Sequence, residues 1–254
     1  MTKLSITLVQ SHLYWENPDK NRNHLDSLMS KARETDIFIL PELFSTAFSV
    51  TCQGEAMNGE SIQWMSKLAQ QKQASVVGSL IIAENGIKYN RLIWMNPDST
   101  FFQYDKRHLF GMMNEGDYFK AGKDRLIIDF KGWKICPLIC YDLRFPVFSR
   151  NNENFDLLLY VANWPVSRIE HWDKLLVARA IENQCYVAAV NRVGQDINGV
   201  VFNGHSSLIN YNGHLIFRGV EKEQVKTLNI DKTDLMNERF KLPFLKDMDS
   251  FSID

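Results

Sequence analysis

The sequence lacks the features of several large classes of protein. Its 29 Lys and Arg residues are balanced by 30 Asp and Glu residues, and they are scattered, so a basic nucleic-acid-binding face is not expected. No apolar run approaches the ~20 residues of a membrane-spanning helix. The N-terminus has neither the long apolar stretch nor the small-residue cleavage site of a signal peptide. We therefore expect a cytoplasmic protein that binds neither nucleic acid nor membranes.

Cysteine and several functional motifs are also scarce. The chain has four cysteines, none in a CxxC pair, which argues against a disulfide framework and favours reduced thiols. The six histidines show no spacing typical of metal ligands. GxSxG, GxGxxG, P-loop and HExxH motifs do not occur. These absences argue against a serine-hydrolase elbow, a dinucleotide- or phosphate-binding loop and a zinc-protease site.

What the sequence does contain is an even alternation of predicted strands and helices. With 45% hydrophobic residues and no linker, repeat or low-complexity tract, residues 1–254 are predicted to form a single domain. Several strands are apolar at every position, which predicts a mixed sheet, or two packed sheets, covered by helices. Strands are predicted at 4–10, 36–40, 74–82, 87–95, 100–105, 133–139, 156–162, 185–191, 206–210 and 214–218, and helices at 20–35, 61–73 and 171–183.

Three reactive side chains follow the ends of predicted strands. They are Glu42, Lys106 and Cys140, and ligand sites of α/β proteins lie outside the carboxyl ends of strands. A carboxylate can take the proton of a thiol, while an ammonium lowers the thiol pKa and stabilises an oxyanion. A helix predicted over residues 143–150 would direct its positive end at the sulfur. The trio suits attack on an amide, loss of ammonia and hydrolysis of a thioester.

Each of these residues also has an ordinary explanation. A cysteine at a strand end is more often a small buried hydrophobe than a nucleophile, and we interpret Cys136 and Cys185 in that way. Lys106 is by default a solvated cation. Glu42 is harder to dismiss, because a carboxylate beside an apolar strand is a poor core residue unless it is paired. His108 is an alternative base for a Cys–His pair, ranked lower because the same turn already presents Lys106.

The segments that contain the trio resemble the signature blocks of the nitrilase superfamily of carbon–nitrogen hydrolases. They are LPELF (40–44), YDKRHLF (104–110) and ICYDLRFP (139–146), in the order of that family. The resemblance continues through ANWP (162–165), residues 175–194 and NGHSSLINYNG (203–213), and so covers nearly the whole chain.

The resemblance implies a four-layer α-β-β-α sandwich, a homodimer and a site without metal or organic cofactor. It implies that Glu42 is the general base, Lys106 the oxyanion stabiliser and Cys140 the nucleophile. A second glutamate commonly supports the lysine or the substrate, and the matching residue is Glu115, which is otherwise an ordinary loop carboxylate. The backbone N–H of Tyr141 would be the second oxyanion donor.

The segments CYDLRFP, ANWP and ARAIENQ are most similar to the omega-amidase branch, which hydrolyses the terminal amide of 2-oxoglutaramate or 2-oxosuccinamate. The substrate would then be a small-molecule amide whose carboxylate needs a cation. Arg144 is the candidate, unless it pairs with a buried acidic residue that fixes the turn. Trp164 and Phe48 either wall the pocket or belong to the core, and Asn163 either binds substrate or caps its strand.

Two other functions remain open at this point. The same three residues would also suit an N-carbamoyl amine, a simple aliphatic amide or a nitrile as substrate. A catalytically silent relative that acts as a binding or scaffold protein is the alternative from a different class, and the intact Glu–Lys–Cys set argues against it.

Overall fold

The computed structural model describes residues 2–252, and ten of its fourteen strands begin and end close to the predicted positions. The strands at 128–130, 193–195, 201–203 and 224–231 and the helix at 232–241 were not predicted from the sequence. In chain order they are β1 (Lys3–Gln10), β2 (Ile37–Ile39), β3 (Ser75–Glu84), β4 (Ile87–Met95), β5 (Phe101–Asp105), β6 (Ile128–Phe130), β7 (Trp133–Ile139), β8 (Leu157–Ala162), β9 (Tyr186–Asn191), β10 (Val193–Gln195), β11 (Val201–Asn203), β12 (Ser207–Ile209), β13 (Leu215–Arg218) and β14 (Gln224–Asp231). The α-helices are α1 (Pro18–Met29), α2 (Glu60–Lys72), α3 (Ile169–Asn183) and α4 (Lys232–Lys241). None of the helices between residues 2 and 252 is long and apolar enough to cross a membrane.

The strands form two mixed six-stranded sheets and one small ribbon. The first sheet has the order β14-β1-β2-β3-β4-β5, the second has the order β13-β12-β9-β8-β7-β6, and β10 pairs with β11. The central strands β1, β2 and β3 are parallel, as are β7, β8 and β9. Strand β14 closes one edge by pairing antiparallel with the whole of β1. Each sheet therefore has a parallel centre flanked by antiparallel strands.

Two apolar layers explain why the central strands are apolar throughout. In β2, Ile37 and Ile39 point into the core between the sheets, whereas Phe38 points to the layer beneath α1 and α2. Helix α3 covers the second sheet and buries Trp172 and Leu176 in the same core as β8 and β9. Burial on both faces makes every position of such a strand apolar. The predicted α-β-β-α sandwich is confirmed.

Two predicted helical segments are wrong, and both errors have a local cause. Helix α1 ends at Met29 rather than at residue 35, because residues 30–35 are polar or charged except for the small Ala32 and supply little apolar surface for a buried face. The helix predicted over residues 143–150 is replaced by a 3₁₀ turn, Cys140–Arg144, and Phe145 is extended. Pro146 disfavours helical backbone at the residue before it. The expected helix dipole behind the sulfur is therefore absent from this turn.

Candidate active site

The carboxylate of Glu42 lies at the centre of a fully buried polar network. It follows β2 through a turn that is held by a hydrogen bond from the Leu43 amide to Ser79 Oγ (2.9 Å). Oε1 accepts hydrogen bonds from Lys106 Nζ (2.8 Å) and Asn90 Nδ2 (2.9 Å), and Oε2 accepts one from the Asn163 amide (2.9 Å). A buried carboxylate is costly unless it is paired in this way, so these bonds fix its position.

Lys106 lies between two glutamates at the end of β5. Its Nζ donates to Glu42 Oε1 (2.8 Å) and to both oxygens of Glu115 (3.0 and 2.9 Å). Burial alone would lower the pKa of this ammonium, but the Glu115 and Glu42 carboxylates outweigh it and raise the pKa well above the usual value. Lys106 is therefore a permanent cation with a fixed position.

Glu115 is not an ordinary loop carboxylate. It is fully buried, and besides the ion pair to Lys106 it accepts hydrogen bonds from the Phe110 amide (2.6 Å) and from Asn90 Nδ2 (3.2 Å). Together with Glu42, it thus holds the Lys106 ammonium in place. Asn90, which the sequence did not single out, links the two glutamates through one amide group.

Cys140 begins the 3₁₀ turn directly after β7, in a strained backbone conformation. Its φ of 42° lies in the left-handed region, which costs of order 1–3 kcal/mol for a residue other than glycine. Sγ lies 4.0 Å from the Asn163 carbonyl oxygen. Cys140, at the end of the strand, keeps 9% exposure, whereas Cys136 lies inside β7 and has none.

The resting state of the Cys140 thiol depends on burial and on two neighbouring charges. Burial raises its pKa well above the usual value, the negative charge of Glu42 raises it further, and Lys106 only partly opposes the shift. The Lys106 ammonium lowers the thiol pKa, as expected, but burial and the Glu42 charge outweigh it, so the net pKa is raised. The thiol is protonated at rest, beside a carboxylate that can accept its proton.

Asp142 fastens the cysteine turn, and the sequence analysis missed it. This buried carboxylate accepts hydrogen bonds from Tyr104 Oη (2.8 Å), the Ile139 amide (2.9 Å) and both the amide (3.1 Å) and Nδ1 (2.7 Å) of His108. It thereby ties the turn after β7 to the turn after β5. His108 is hydrogen-bonded to Asp142 and stacks on Phe145, with 3.7 Å between the ring centroids. It therefore supports the turn rather than acting as the base for Cys140.

A cavity of about 220 Å³ opens beside the sulfur. Lys106 and Cys140 form part of its wall, whereas Glu42 and Glu115 lie behind Lys106 with no exposed surface. The cavity is smaller than the ~300–1,000 Å³ pockets that hold drug-sized ligands, so it suits a small molecule. Its lining residues are Phe48, Lys106, Phe110, Met112, Met113, Cys140, Tyr141, Arg144, Asn163, Trp164, Pro165, Ser167, Arg168, Asp196, Val200 and Phe202.

The predicted substrate-binding residues all lie in this wall. Asn163 uses its Nδ2 to hold the Glu42 carbonyl oxygen (2.7 Å), while its Oδ1 is buried without a hydrogen-bond partner. Trp164 is only 3% exposed and packs on Trp172, yet its ring forms part of the cavity. Phe48 stands with its ring 5.4 Å from Lys106 Nζ. Asn163 and Trp164 therefore both support the site and face the cavity.

Arg144 has no acidic partner among residues 2–252, so the interpretation that a buried acid holds it is wrong. Its guanidinium lies 4.7 Å from the Trp164 ring and contacts His171 Nδ1 at 3.3 Å. Arg168, a second arginine in the wall, was not identified from the sequence. The only sequence signal for Arg168 was its place in the turn that follows ANWP.

These contacts describe a site for nucleophilic catalysis. It combines a protonated thiol, a carboxylate fixed beside it and a permanent cation at the cavity wall. A carbonyl carbon in the cavity would meet the thiol on one side, with N–H donors available to its oxygen. No cluster of three or more His, Cys, Asp and Glu side chains within residues 2–252 is arranged to hold a metal ion.

Comparison with known proteins gives consistent matches over almost the full chain. A family profile described as carbon–nitrogen hydrolase matches residues 5–237. Omega-amidase YafV of Yersinia enterocolitica is 40% identical, with 99% of each chain aligned. The 2-oxoglutaramate amidase of Bacillus subtilis is 32% identical over 97% of this chain and 98% of that protein. The crystal structure of XC1258 from Xanthomonas campestris, a CN-hydrolase superfamily protein with an arsenic adduct in its active site, superposes with a TM-score of 0.97 at 42% identity over 100% of both chains.

Proposed function

The chain belongs to the carbon–nitrogen hydrolase family of the nitrilase superfamily and is an amide-hydrolysing enzyme, and we propose that it is an omega-amidase. Its substrate would be the monoamide of a 2-oxo-dicarboxylic acid, such as 2-oxoglutaramate or 2-oxosuccinamate, and its products the 2-oxo acid and ammonia. The observation that carries this proposal is the buried contact of Cys140, Glu42 and Lys106 at one small cavity.

In the first half of the reaction, Cys140 forms a bond to the amide carbon. Because the thiol is protonated at rest, Glu42 accepts its proton as the sulfur attacks. The carbonyl π electrons move to oxygen and give a tetrahedral intermediate. When that intermediate collapses, the C–N bond breaks, Glu42 returns the proton to nitrogen, and ammonia leaves a thioester on Cys140.

Two donors are available to the oxyanion of that intermediate. The Lys106 ammonium lies in the cavity wall and stays charged because Glu42 and Glu115 hold it. Tyr141 is the second residue of the 3₁₀ turn, where backbone N–H groups have no acceptor inside the helix. A fixed cation and a fixed amide would stabilise the developing charge without reorganisation.

In the second half, water replaces ammonia. Glu42 removes a proton from a water molecule that attacks the thioester carbon, and the same two donors stabilise the second oxyanion. The C–S bond then breaks, the carboxylic acid leaves, and the proton returns to the sulfur. The thiol and the carboxylate thus end the cycle as they began it.

Ammonia release from 2-oxoglutaramate by wild type and Cys140→Ala tests this proposal. The hydrogen bond from Cys140 Sγ to the Asn163 carbonyl oxygen is long, at 4.0 Å, so the variant should fold normally and lose at least about 10⁴-fold in kcat. Cys136→Ala is the matched control, because it removes a buried thiol from β7, the strand that leads to Cys140. Full turnover by Cys140→Ala would overturn the nucleophile assignment.

The substrate class is tested separately with a panel. Activity on a simple aliphatic amide, an N-carbamoyl amine or a nitrile that exceeded activity on the 2-oxo monoamides would keep the catalytic residues and replace the substrate. Alkylation by iodoacetamide tests the silent-scaffold alternative: rapid loss of one thiol, prevented by substrate, excludes it. The single-domain organisation, the homodimer and the cytoplasmic location remain predictions, and light scattering would measure the oligomeric state.

A further inference from the structure

Two arginines in the cavity wall have no carboxylate partner among residues 2–252. Arg144 contacts an aromatic ring and a histidine nitrogen, and the Arg168 guanidinium lies 5.3 Å from the Phe110 ring. Several other half-buried arginines have carboxylate partners, among them Arg22 with Asp19 and Glu60. Two unpaired cations at one small cavity repel each other, which is unfavourable unless an anion visits the cavity.

The nearest acidic side chain of the wall does not neutralise them. Asp196 lines the cavity, but its Oδ1 accepts hydrogen bonds from the backbone amides of Asn198 and Val200 (2.9 Å each). These bonds hold the carboxylate on its own loop. Both guanidinium groups therefore keep N–H donors that no carboxylate of the described residues uses.

Both arginines are held in place by their surroundings. Arg144 stacks against Trp164, and His171 Nδ1 lies 3.3 Å from two of its nitrogens. A guanidinium can only donate, so that imidazole nitrogen accepts and keeps the fork oriented. The Arg168 carbonyl oxygen accepts a hydrogen bond from the Trp164 indole (2.8 Å). One buried tryptophan thus positions both cations relative to the cavity.

The spacing suits a substrate that is reactive at one end and anionic at the other. Arg144 is the fourth residue after Cys140 in the same 3₁₀ turn, so their Cα atoms are about 8 Å apart. In a five-carbon dicarboxylic acid monoamide, the amide and carboxylate carbons lie about 5 Å apart along the chain. Burial and the neighbouring Arg144 lower the pKa of Arg168, whereas a thiolate at Cys140 raises it, so the Arg168 charge lies within range of both residues.

We propose that Arg144 and Arg168 together bind the 2-oxo-carboxylate end of the substrate and thereby select amides that carry an anion opposite the reacting group. This inference rests on the proposed function. Planar guanidinium groups bind carboxylates through paired N–H donors, and the adjacent keto oxygen is a further acceptor. A neutral amide of the same length would leave both cations unpaired and would gain nothing from them.

The test uses two substrates that differ only in the carboxylate: 2-oxoglutaramate and 4-oxopentanamide, in which a methyl group replaces it. For Arg144→Gln and Arg168→Gln, kcat/KM on 2-oxoglutaramate should fall by about 10²-fold or more, while kcat/KM on 4-oxopentanamide should change by less than about threefold. On 2-oxoglutaramate, kcat/KM should fall further for Arg168→Glu than for Arg168→Gln. On 4-oxopentanamide, the two variants should have similar kcat/KM. Lys174→Gln on α3 and Arg33→Gln on the remote surface are charge controls that should leave both substrates unaffected.

A second measurement does not depend on turnover of the amide. Inhibition by the dicarboxylate 2-oxoglutarate should weaken in both arginine variants and should weaken with added salt in the wild type. An equal loss on both substrates, or no loss on either, would overturn the assignment of the arginines. A wild type that cleaves 4-oxopentanamide as well as 2-oxoglutaramate would instead overturn the substrate class of the proposed function, so the two failures are distinguishable.

Discussion

The floor and the outer wall of the cavity are built in opposite ways. The floor consists of Lys106 and Cys140 together with Glu42 and Glu115, the fully buried glutamates that accept hydrogen bonds from Lys106. The outer wall consists of Phe48, Met112, Arg144 and Arg168 from loops and short turns, with Met112 77% exposed. The floor is therefore assembled before substrate arrives, as charge stabilisation requires, whereas the wall keeps donors and apolar surface available to a ligand.

A change in the floor should produce the largest effect. In Glu42→Gln the side chain keeps its shape but cannot accept the Cys140 proton, and kcat should fall by about 10³-fold or more. Steady-state ammonia release measures this, with the exposed Glu34→Gln as control. If the kcat of Glu42→Gln stayed within tenfold of the wild-type value, Glu42 would not be the base, and the floor would not differ from the outer wall in its effect on catalysis.

A change beneath the floor should have an intermediate effect. The two oxygens of the Asp142 carboxylate accept four hydrogen bonds from Tyr104, Ile139 and His108. In Asp142→Asn only one side-chain oxygen remains to accept them. We expect a loss of about 1–3 kcal/mol in the free energy of unfolding and of about 10–10²-fold in kcat with little change in KM. Thermal denaturation and steady-state kinetics measure the two, and Asp117→Asn, on the exposed loop, is the control. Loss of stability with unchanged kcat would show that the turn does not position Cys140.

The buried side of the molecule should also show a pH-dependent stability. Burial raises the pKa of Cys185 to about 12 and that of Cys136 above its usual range, while an unfolded cysteine has a pKa of about 8.5. Above that value the unfolded state binds fewer protons than the folded state. The free energy of unfolding should therefore fall as pH rises, by up to about 1.4 kcal/mol per pH unit for each such thiol.

Denaturant unfolding between pH 8 and pH 10 measures this slope. Cys185→Ala removes one of the buried thiols. The free energy of unfolding should then fall less steeply with pH, by the contribution of that one thiol, even if the substitution also changes stability at neutral pH. Val190→Ala, on the strand β9 that follows Cys185, removes buried side-chain volume but no titrating group, so it should lower stability equally at each pH. An unchanged slope in Cys185→Ala would contradict the prediction.

The smallest effect should come from the apolar part of the outer wall. Met112→Ala removes an exposed side chain that makes no polar contact with the floor, and kcat/KM should change by less than about threefold. The measurement is the same ammonia assay on 2-oxoglutaramate. A loss as large as that of Glu42→Gln would erase the distinction between the two regions.

The sequence predicted those parts of the molecule that depend on local pattern. Continuous apolar strands indicated burial on both faces, and the polar residue after each strand marked Glu42, Lys106 and Cys140, which the structure brings together. The two cysteines of ICPLIC were distinguishable by position alone, since Cys136 lies inside the strand and Cys140 at its end. The catalytic roles of Glu42, Lys106 and Cys140 remain proposals, but their positions after the ends of strands were predicted from the sequence.

What the sequence could not predict depends on contacts between distant segments. Asn90 and Asp142 look like ordinary polar residues until their partners, 48 and 38 residues away, are known. The left-handed backbone of Cys140 and the net pKa of its thiol follow from packing rather than from residue type. The helix predicted over residues 143–150 does not form, because Pro146 disfavours helical backbone at the residue before it.

The pairing of β1 with β14 has a consequence for how this chain reaches its structure. The first strand of the chain finds its antiparallel neighbour more than 200 residues later, from Lys3↔Asp231 to Gln10↔Gln224. At a synthesis rate of about 5–20 residues per second, many seconds pass before β14 is made, and during that time one edge of β1 has no neighbouring strand. Such distant pairing slows folding and exposes strand edges. Emergence of β14 from the ribosome is then the event that completes the sheet, and we expect chains truncated before residue 224 to be prone to aggregation.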